Sequence, residues 1–318
     1  MKRFPPPQIV TVILLRQFST VLFITALLLS GCGGGGSSGN TGQTLQSRET
    51  LVHDGLNREY ILYIPATYDG ATEVPLLFNF HGFSLTMEQH LANADMRAQA
   101  EAHNFILVYP QGTGSLPVWN AARTSIGADD TGFIETLISK LLLEYKIDSK
   151  RIYAVGYSNG AMLSYALACY SNGLIAAVGA VSGTQLDISA ACTPAQPTAT
   201  INIHGTSDIL LPYHGNAVYN SVDTVLGFWR NFNNTSTTPV YNTVNDRGTP
   251  IEHYQYTQGT NNVAVEHYKV VGGGHSWFNL NYQGNNTGDL LWNFVSKYDS
   301  NAHELNSPRK HRSLRLLQ

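Results

Sequence analysis

The feature that most constrains the fold of this chain is an alternation of short apolar runs with segments of helical periodicity. Each run is five or six residues long, too short for a buried helix, and a loop follows it. The runs lie at 76–80, 105–109, 151–155, 176–181 and 199–203. Such alternation is typical of crossover connections between parallel strands. It predicts an α/β fold with a mostly parallel central sheet and helices on both faces.

The helical segments are placed between these runs. Apolar side chains recur at helical spacing, and the predicted helices span 87–103, 131–145 with Asp130 as N-cap, 159–169, 217–229 and 289–298. Two β-like runs at 50–52 and 60–64 flank Asp54-Gly55 and predict a hairpin ahead of the parallel strands. Further β-like runs lie at 251–256 and 263–271.

The N-terminal region has the pattern of an export signal. Basic Lys2 and Arg3 precede an apolar core at 21–29, so residues 1–31 are predicted to be a signal peptide. Leu29-Ser30-Gly31-Cys32 resembles the bacterial lipobox, which predicts lipidation of Cys32; a plain signal peptide is the alternative. Residues 32–48 are a predicted Gly/Ser-rich tether. The mature protein is therefore expected to be exported and held at the cell-envelope membrane by its lipid, or to be extracellular.

Two further boundaries follow from composition. Residues 49–300 form the predicted catalytic domain, and the basic segment 301–318 has no core pattern and is predicted to be a disordered tail. The formal net charge of −3 argues against a nucleic-acid partner, which would require a basic face.

Three cysteines are distributed consistently with export. If Cys32 carries lipid, then Cys169 and Cys192 remain as a possible disulfide in an oxidising compartment. Two buried free thiols are the alternative.

A nucleophile motif follows the third run. Gly156-Tyr157-Ser158-Asn159-Gly160 matches G-x-S-x-G, directly after an apolar strand and at the start of a helix. The same pattern around Ser37 lies in the tether, where no strand or helix is predicted. A strand-turn-helix context raises the serine above the end of the sheet, as in the nucleophile elbow of α/β-hydrolases. Ser158 is therefore the predicted nucleophile.

A serine nucleophile needs a base and an orienting acid, and in this fold they follow it along the chain. His275 is the predicted base because it lies in a glycine-rich loop after the last β-like run. Asp208 is the predicted acid because it follows the strand at 199–203, and His204 is predicted to shape that loop. The rival acids Asp129 and Asp130 precede the serine and are interpreted as helix caps.

The remaining machinery is predicted from backbone positions. The oxyanion hole is expected to use the N–H groups of Asn159 and Phe83, which follow the nucleophile and the first parallel strand respectively. Such a triad needs no cofactor, and the sequence contains none of the common metal-ligand spacings.

With these residues in hand, the chain resembles the polyhydroxybutyrate depolymerase family of esterases, whose relatives include bacterial feruloyl and acetylxylan esterases. The resemblance covers about residues 56–298 and depends on the blocks at 81–83, 109–112, 119–120, 129–134, 151–162, 204–208 and 273–277. It implies the same triad and oxyanion donors, and it implies that Trp119 and Trp277 line the substrate cleft. A core position is the alternative for Trp119.

The chain departs from the family at a paired position. Members often have cysteines at the positions of Phe83 and Val118, so apolar packing is expected to replace a disulfide there.

The resemblance favours a polymeric or oligomeric hydroxybutyrate ester as the substrate. Feruloyl or acetylxylan esters are the alternative. A serine peptidase and a non-catalytic surface binding protein are less favoured, because the chain has no room for a large gating domain and its triad is intact.

Overall fold

The computed structural model describes residues 44–189, 191–301 and 305. Within them, ten strands form one sheet. In chain order they are β1 Leu45–His53, β2 Leu56–Ile64, β3 Val74–Phe80, β4 Ile106–Pro110, β5 Ile147–Tyr157, β6 Ala177–Val181, β7 Ala199–Gly205, β8 Val240–Asp246, β9 Thr249–Tyr256 and β10 Val265–Val270. Their order across the sheet is β1-β2-β4-β3-β5-β6-β7-β10-β9-β8.

The centre of the sheet is parallel. Strands β4, β3, β5, β6, β7 and β10 pair in parallel, while β1 and β2 on one side and β9 and β8 on the other add antiparallel edges. The parallel strands are mostly buried because helices cover both of their faces. The predicted fold class is confirmed.

The helices divide between the two faces. Apolar side chains from α3 Asp130–Glu144, α4 Asn159–Tyr170 and α5 Val222–Asn233 join one buried cluster. Those from α1 Met87–Asn93, α2 Arg97–His103 and α6 Thr287–Val295 join the other. Because all six central strands run the same way, the loops that follow them meet at one edge of the sheet.

The prediction of a single helix over 87–103 is wrong, because α1 and α2 are separate helices. The carbonyl of Ala94 accepts hydrogen bonds from the Asn79 amide at 3.1 Å and from the Tyr109 hydroxyl at 2.8 Å. Asp95 then accepts the backbone N–H of Arg97 at 2.9 Å. These contacts with the sheet break the helix, and helical periodicity alone could not reveal them.

The cap of α3 is also corrected. Asp129, rather than Asp130, is the N-cap, and its carboxylate accepts the N–H of Gly132 at 3.0 Å. Asp130 is buried and accepts a hydrogen bond from Arg58 at 2.6 Å. Helix α5 begins at Val222 rather than 217, because the Ser221 side chain caps it.

Two differences affect the ends of the sheet. The edge strand β8 was not predicted, since most of its side chains are exposed and lack apolar alternation. Strand β1 begins at Leu45, inside the predicted tether, where Leu45 pairs with Ile64. The predicted signal peptide, Cys32 and most of the predicted tail lie outside the described residues. None of the described helices is long and apolar enough to cross a membrane.

Candidate active site

The predicted nucleophile lies on a sharp turn between β5 and α4. Ser158 has φ 54° and ψ −117°, a positive-φ backbone conformation that costs about 1–3 kcal/mol for a residue with a side chain. A Cβ on Gly156 would lie 2.5 Å from the carbonyl carbon of Gly160, and one on Gly160 would overlap the Phe80 carbonyl oxygen. The two glycines are therefore required by the close approach of strand, turn and helix.

The three predicted triad residues come together at this edge. The Nε2 atom of His275 lies 2.8 Å from Ser158 Oγ, and its Nδ1 atom lies 2.7 Å from Asp208 Oδ2. Because an ionised carboxylate only accepts, Nδ1 carries the hydrogen and Nε2 is free to accept the serine proton. Asp208 and His275 follow β7 and β10, so the parallel order of the sheet brings them to Ser158.

The acid of this constellation is fully buried yet well supplied with donors. Asp208 Oδ1 accepts the N–H groups of Leu210 and Leu211, each at 2.9 Å. Burial alone would raise the pKa of the Asp208 carboxyl, but hydrogen bonds from His204, His275 and Leu211 bring that pKa well below its ordinary value. The carboxylate is therefore ionised throughout the range in which an imidazole titrates.

The rival residues are engaged elsewhere. The carboxylate of Asp129 lies 3.2 Å from His53 Nε2, and Asp130 pairs with Arg58. Among the later histidines, His253 Nε2 lies 2.8 Å from Glu266, and His267 Nε2 accepts from a tyrosine hydroxyl at 2.8 Å.

The two predicted oxyanion donors flank the serine. Asn159 is the first residue of α4, where backbone N–H groups have no intrahelical partner. The other donor precedes α1: a Cβ on Gly82 would lie 3.3 Å from Ser158 Cβ, so this loop approaches the nucleophile closely. Among the described residues, the N–H of Phe83 has no protein acceptor. Both N–H groups remain predicted donors.

Trp119 does not line a cleft, and that prediction is wrong. Its side chain is 2% exposed, and its indole N–H donates to the His81 carbonyl at 2.9 Å. Its backbone is held by the Asn159 side chain, which accepts the Trp119 N–H at 2.7 Å and donates to the Trp119 carbonyl at 3.1 Å. The indole thus connects the elbow to the loop before Phe83.

His81 completes this connection, and sequence reasoning gave it no role. Its Nε2 accepts the N–H of Gly112 at 2.8 Å, so Nδ1 carries the hydrogen and donates to the Gly82 carbonyl at 2.8 Å. Burial lowers the pKa of His81 to about 4, which keeps the ring neutral at neutral pH. Its position directly after the first parallel strand was the signal that could have suggested a structural role.

Trp277 is half-buried and lies two residues after His275. Its ring packs edge-on to His90, with centroids 5.7 Å apart. The structure records no contact between this ring and the triad, and its part in the cleft stays a prediction.

The expectation that apolar packing replaces a disulfide at Phe83 and Val118 is wrong. Phe83 is 55% exposed and Val118 is 36% exposed, so neither is packed away. The two loops are joined instead by a backbone hydrogen bond from Ser84 N–H to the Pro117 carbonyl at 2.8 Å.

The predicted cysteine pair lies away from these loops, and Cys169 and Cys192 form a disulfide.

The chain is similar to a carboxylesterase family model and to several known esterases. A family model described as phospholipase/carboxylesterase matches residues 120–238. A bifunctional acetylxylan esterase/xylanase of Neocallimastix patriciarum is 28% identical, covering 77% of this chain and 34% of that protein. Feruloyl esterase B of Piromyces equi is 27% identical, covering 76% and 45% respectively. The chain therefore spans between a third and a half of these two relatives.

A probable feruloyl esterase C of Aspergillus clavatus is more similar in length. It is 31% identical, and the match covers 62% of this chain and 71% of that protein. Among solved structures, an acetyl xylan esterase from Aspergillus awamori superposes with TM-score 0.59 at 16% identity, over 79% of this chain and 99% of that one. A feruloyl esterase module from Clostridium thermocellum gives TM-score 0.56 at 12% identity, over 84% and 91%. At these identities the superpositions support the fold alone.

Proposed function

Because the chain belongs to the phospholipase/carboxylesterase family of α/β-hydrolases, we propose that it is a serine esterase that cleaves carboxylic esters through an acyl-enzyme. The observation that carries the proposal is the hydrogen-bonded series from Ser158 through His275 to Asp208, with distances of 2.8 Å and 2.7 Å. Both distances lie within hydrogen-bond reach, as a general base and the acid that orients it require.

In the proposed mechanism, Ser158 Oγ attacks the ester carbonyl carbon while its proton passes to His275 Nε2. The carbonyl oxygen becomes an anion, which the N–H groups of Asn159 and Phe83 stabilise; one such donor contributes about 3–4 kcal/mol. Asp208 stabilises the imidazolium, which then gives its proton to the departing alcohol. Water attacks the acyl-enzyme by the same route and releases the acid.

The acyl group is proposed to be one found on plant polysaccharides. The named relatives are feruloyl and acetylxylan esterases, and they support the alternative substrate prediction better than hydroxybutyrate. Feruloyl esters are favoured by the exposed apolar side chains of Phe83, Leu116 and Val118, on the two loops joined beside the nucleophile. An aryl acyl group could cover this surface, whereas an acetyl group is too small to do so.

The test is an ester panel on the purified protein. Methyl ferulate, acetylated xylan and hydroxybutyrate oligomers would be compared by kcat/KM, with Ser158→Ala as the blank. We expect methyl ferulate to be the best substrate. Highest turnover of hydroxybutyrate oligomers would contradict the proposed acyl class, and failure of a fluorophosphonate to label Ser158 would contradict the enzyme itself.

We also propose that the protein is exported and tethered by lipid at Cys32. The lipobox-like residues 29–32 support this, and so does the disulfide, since disulfides persist in oxidising compartments. Intact-mass analysis of membrane-extracted protein should give loss of residues 1–31 and added acyl mass. If wild-type and Cys32→Ala proteins were equally soluble after export, the tether would be refuted.

A further inference from the structure

A second histidine contacts the acid of the triad from inside the protein. His204 lies near the end of β7, and its side chain is 1% exposed. Its Nε2 atom lies 2.9 Å from the Leu211 carbonyl oxygen and 3.3 Å from Asp208 Oδ2. The oxygen it approaches is the same one that accepts the Nδ1–H of His275.

The hydrogen-bond pattern fixes the tautomer of His204. A carbonyl oxygen only accepts, so Nε2 must carry the hydrogen that the Leu211 carbonyl accepts, and Asp208 Oδ2 lies 3.3 Å from the same nitrogen. Within the described part of the chain, Nδ1 of His204 has no hydrogen-bond partner. A proton on Nδ1 would be a buried donor without an acceptor, which is costly. Nε2 of His204 is therefore the donor atom of this ring.

This donor completes the set around the carboxylate. The other oxygen of Asp208, Oδ1, is held by two backbone N–H groups. Among the hydrogen bonds and ion pairs of the described residues, Oδ2 accepts from His275 and lies 3.3 Å from one further nitrogen, Nε2 of His204. Without it, rotation of the carboxylate would be opposed on the Oδ2 side by the catalytic histidine alone.

We propose that His204 is a positioning residue: its Nε2–H orients Asp208 Oδ2 so that His275 stays aimed at Ser158. The inference rests on the proposed esterase function and assigns His204 no contact with substrate. It goes beyond shaping the loop, because it links the imidazole donor directly to the alignment of the base. Misplacement of reacting groups by about 1 Å can lower rates by two powers of ten.

The test compares substitutions that keep or remove the donor. His204→Met fills the site without a donor, whereas the Nε2 amide of His204→Gln can reach the same acceptors. We expect His204→Met to lower kcat about 10-fold or more with KM within about 2-fold, and His204→Gln to stay within about 3-fold of wild-type kcat. Each kcat is calculated from the concentration of active sites that fluorophosphonate labels, so that unfolded protein is excluded from the enzyme concentration.

His267 provides the matched control. It is also a buried histidine, 2% exposed, on the adjacent strand β10, but it contacts Tyr213 and not the triad. His267→Met should lower stability while kcat stays within about 2-fold of wild type. The proposal is overturned if His204→Met keeps kcat within about 2-fold, if Met and Gln at 204 lose activity equally, if the loss is in KM, or if His267→Met loses as much kcat.

An NMR measurement tests the positioning role of His204 separately from the proposed esterase function. Because His275 Nδ1 lies 2.7 Å from Asp208 Oδ2, we expect the proton between them to give a far-downfield NMR signal without substrate. It should shift or broaden in His204→Met and remain in His204→Gln and His267→Met; an unchanged signal in His204→Met would overturn the proposal. If the protein hydrolysed no ester, the proposed function would fail while this comparison still decided the role of His204. If His204→Met does not fold, His204→Asn, whose amide is too short, replaces it against His204→Gln, and equal signals would overturn the proposal.

Discussion

Loss of the Cys169–Cys192 disulfide should lower stability without lowering activity. Cys169 lies near the end of α4, whose first residue follows Ser158, and a helix rises 1.5 Å per residue. The eleven residues from Ser158 therefore place the bridge about 16 Å along the helix from the nucleophile. Both sulfur atoms accept the Gln185 side-chain amide at 3.3 Å, and both cysteines are 4% exposed. Among the described residues, none of Cys169, Cys192 and Gln185 forms a hydrogen bond with the triad.

The magnitude follows from the loop that the bridge closes. The two cysteines are 23 residues apart, and the chain-entropy relation then gives about 3 kcal/mol of stabilisation at 25 °C. In a domain of this size, 1 kcal/mol corresponds to about 2–4 °C in Tm, so the double variant Cys169→Ala/Cys192→Ala should melt about 6–12 °C lower. Loss of the buried sulfur atoms adds to this shift.

The assay combines melting with thiol counting. Wild-type protein should have no reactive thiol at positions 169 and 192 when denatured without reductant, and reductant should lower its Tm. The double variant is the control, since reductant should leave its Tm unchanged, and its kcat at low temperature should equal that of the wild type. Two free thiols at these positions, or identical melting of oxidised and reduced wild type, would refute the reasoning.

Three further predictions concern the site and its supporting residues. Ser158→Ala should lower kcat by about six powers of ten with an unchanged fold, and retention of more than about a hundredth of the activity would exclude Ser158 as nucleophile. Trp119→Phe removes the donor to the His81 carbonyl, so kcat should fall about 10-fold; Trp229→Phe, which loses a buried indole hydrogen bond in α5, should not change kcat, and equal losses would contradict the argument. Burial lowers the pKa of His90 to about 3, so the unfolded chain binds a proton there below about pH 6.5 while the native protein does not, and stability falls as pH drops. His90→Gln should reduce that slope by up to about 1.4 kcal/mol per pH unit in urea unfolding between about pH 6 and pH 4, and parallel curves would refute the linkage.

The three predicted triad residues could be chosen from local sequence patterns. Ser158 and Asp208 each follow a run that was predicted to be a parallel strand, and His275 follows the last β-like run, which the structure adds to the parallel strands as β10. Because the carboxyl ends of parallel strands meet at one edge of a sheet, residues separated by fifty or more positions could be predicted to lie at the same edge. The two glycines around Ser158 fixed the turn, because only glycine permits its close backbone approach.

The role of Trp119 could not be obtained in the same way. A tryptophan beside a predicted active-site loop can face a cleft or the core, and composition and spacing are identical in both cases. The indole is buried because its N–H finds the His81 carbonyl and because the Asn159 amide holds its backbone. These partners are 38 and 40 residues away in the chain, so tertiary contacts determine whether the indole is buried.

The sequence by itself determined the α/β fold with its mostly parallel sheet, and it predicted the nucleophile, base and acid, because each depends on periodicity or on a turn that few residues can adopt. Only the tertiary structure decided what the buried polar groups do: that Ala94 breaks a helix, that Asp130 pairs with Arg58, and that His204 contacts Asp208. A buried polar group must find a partner wherever the fold supplies one. That partner is set by the packing of distant segments, which no local pattern encodes.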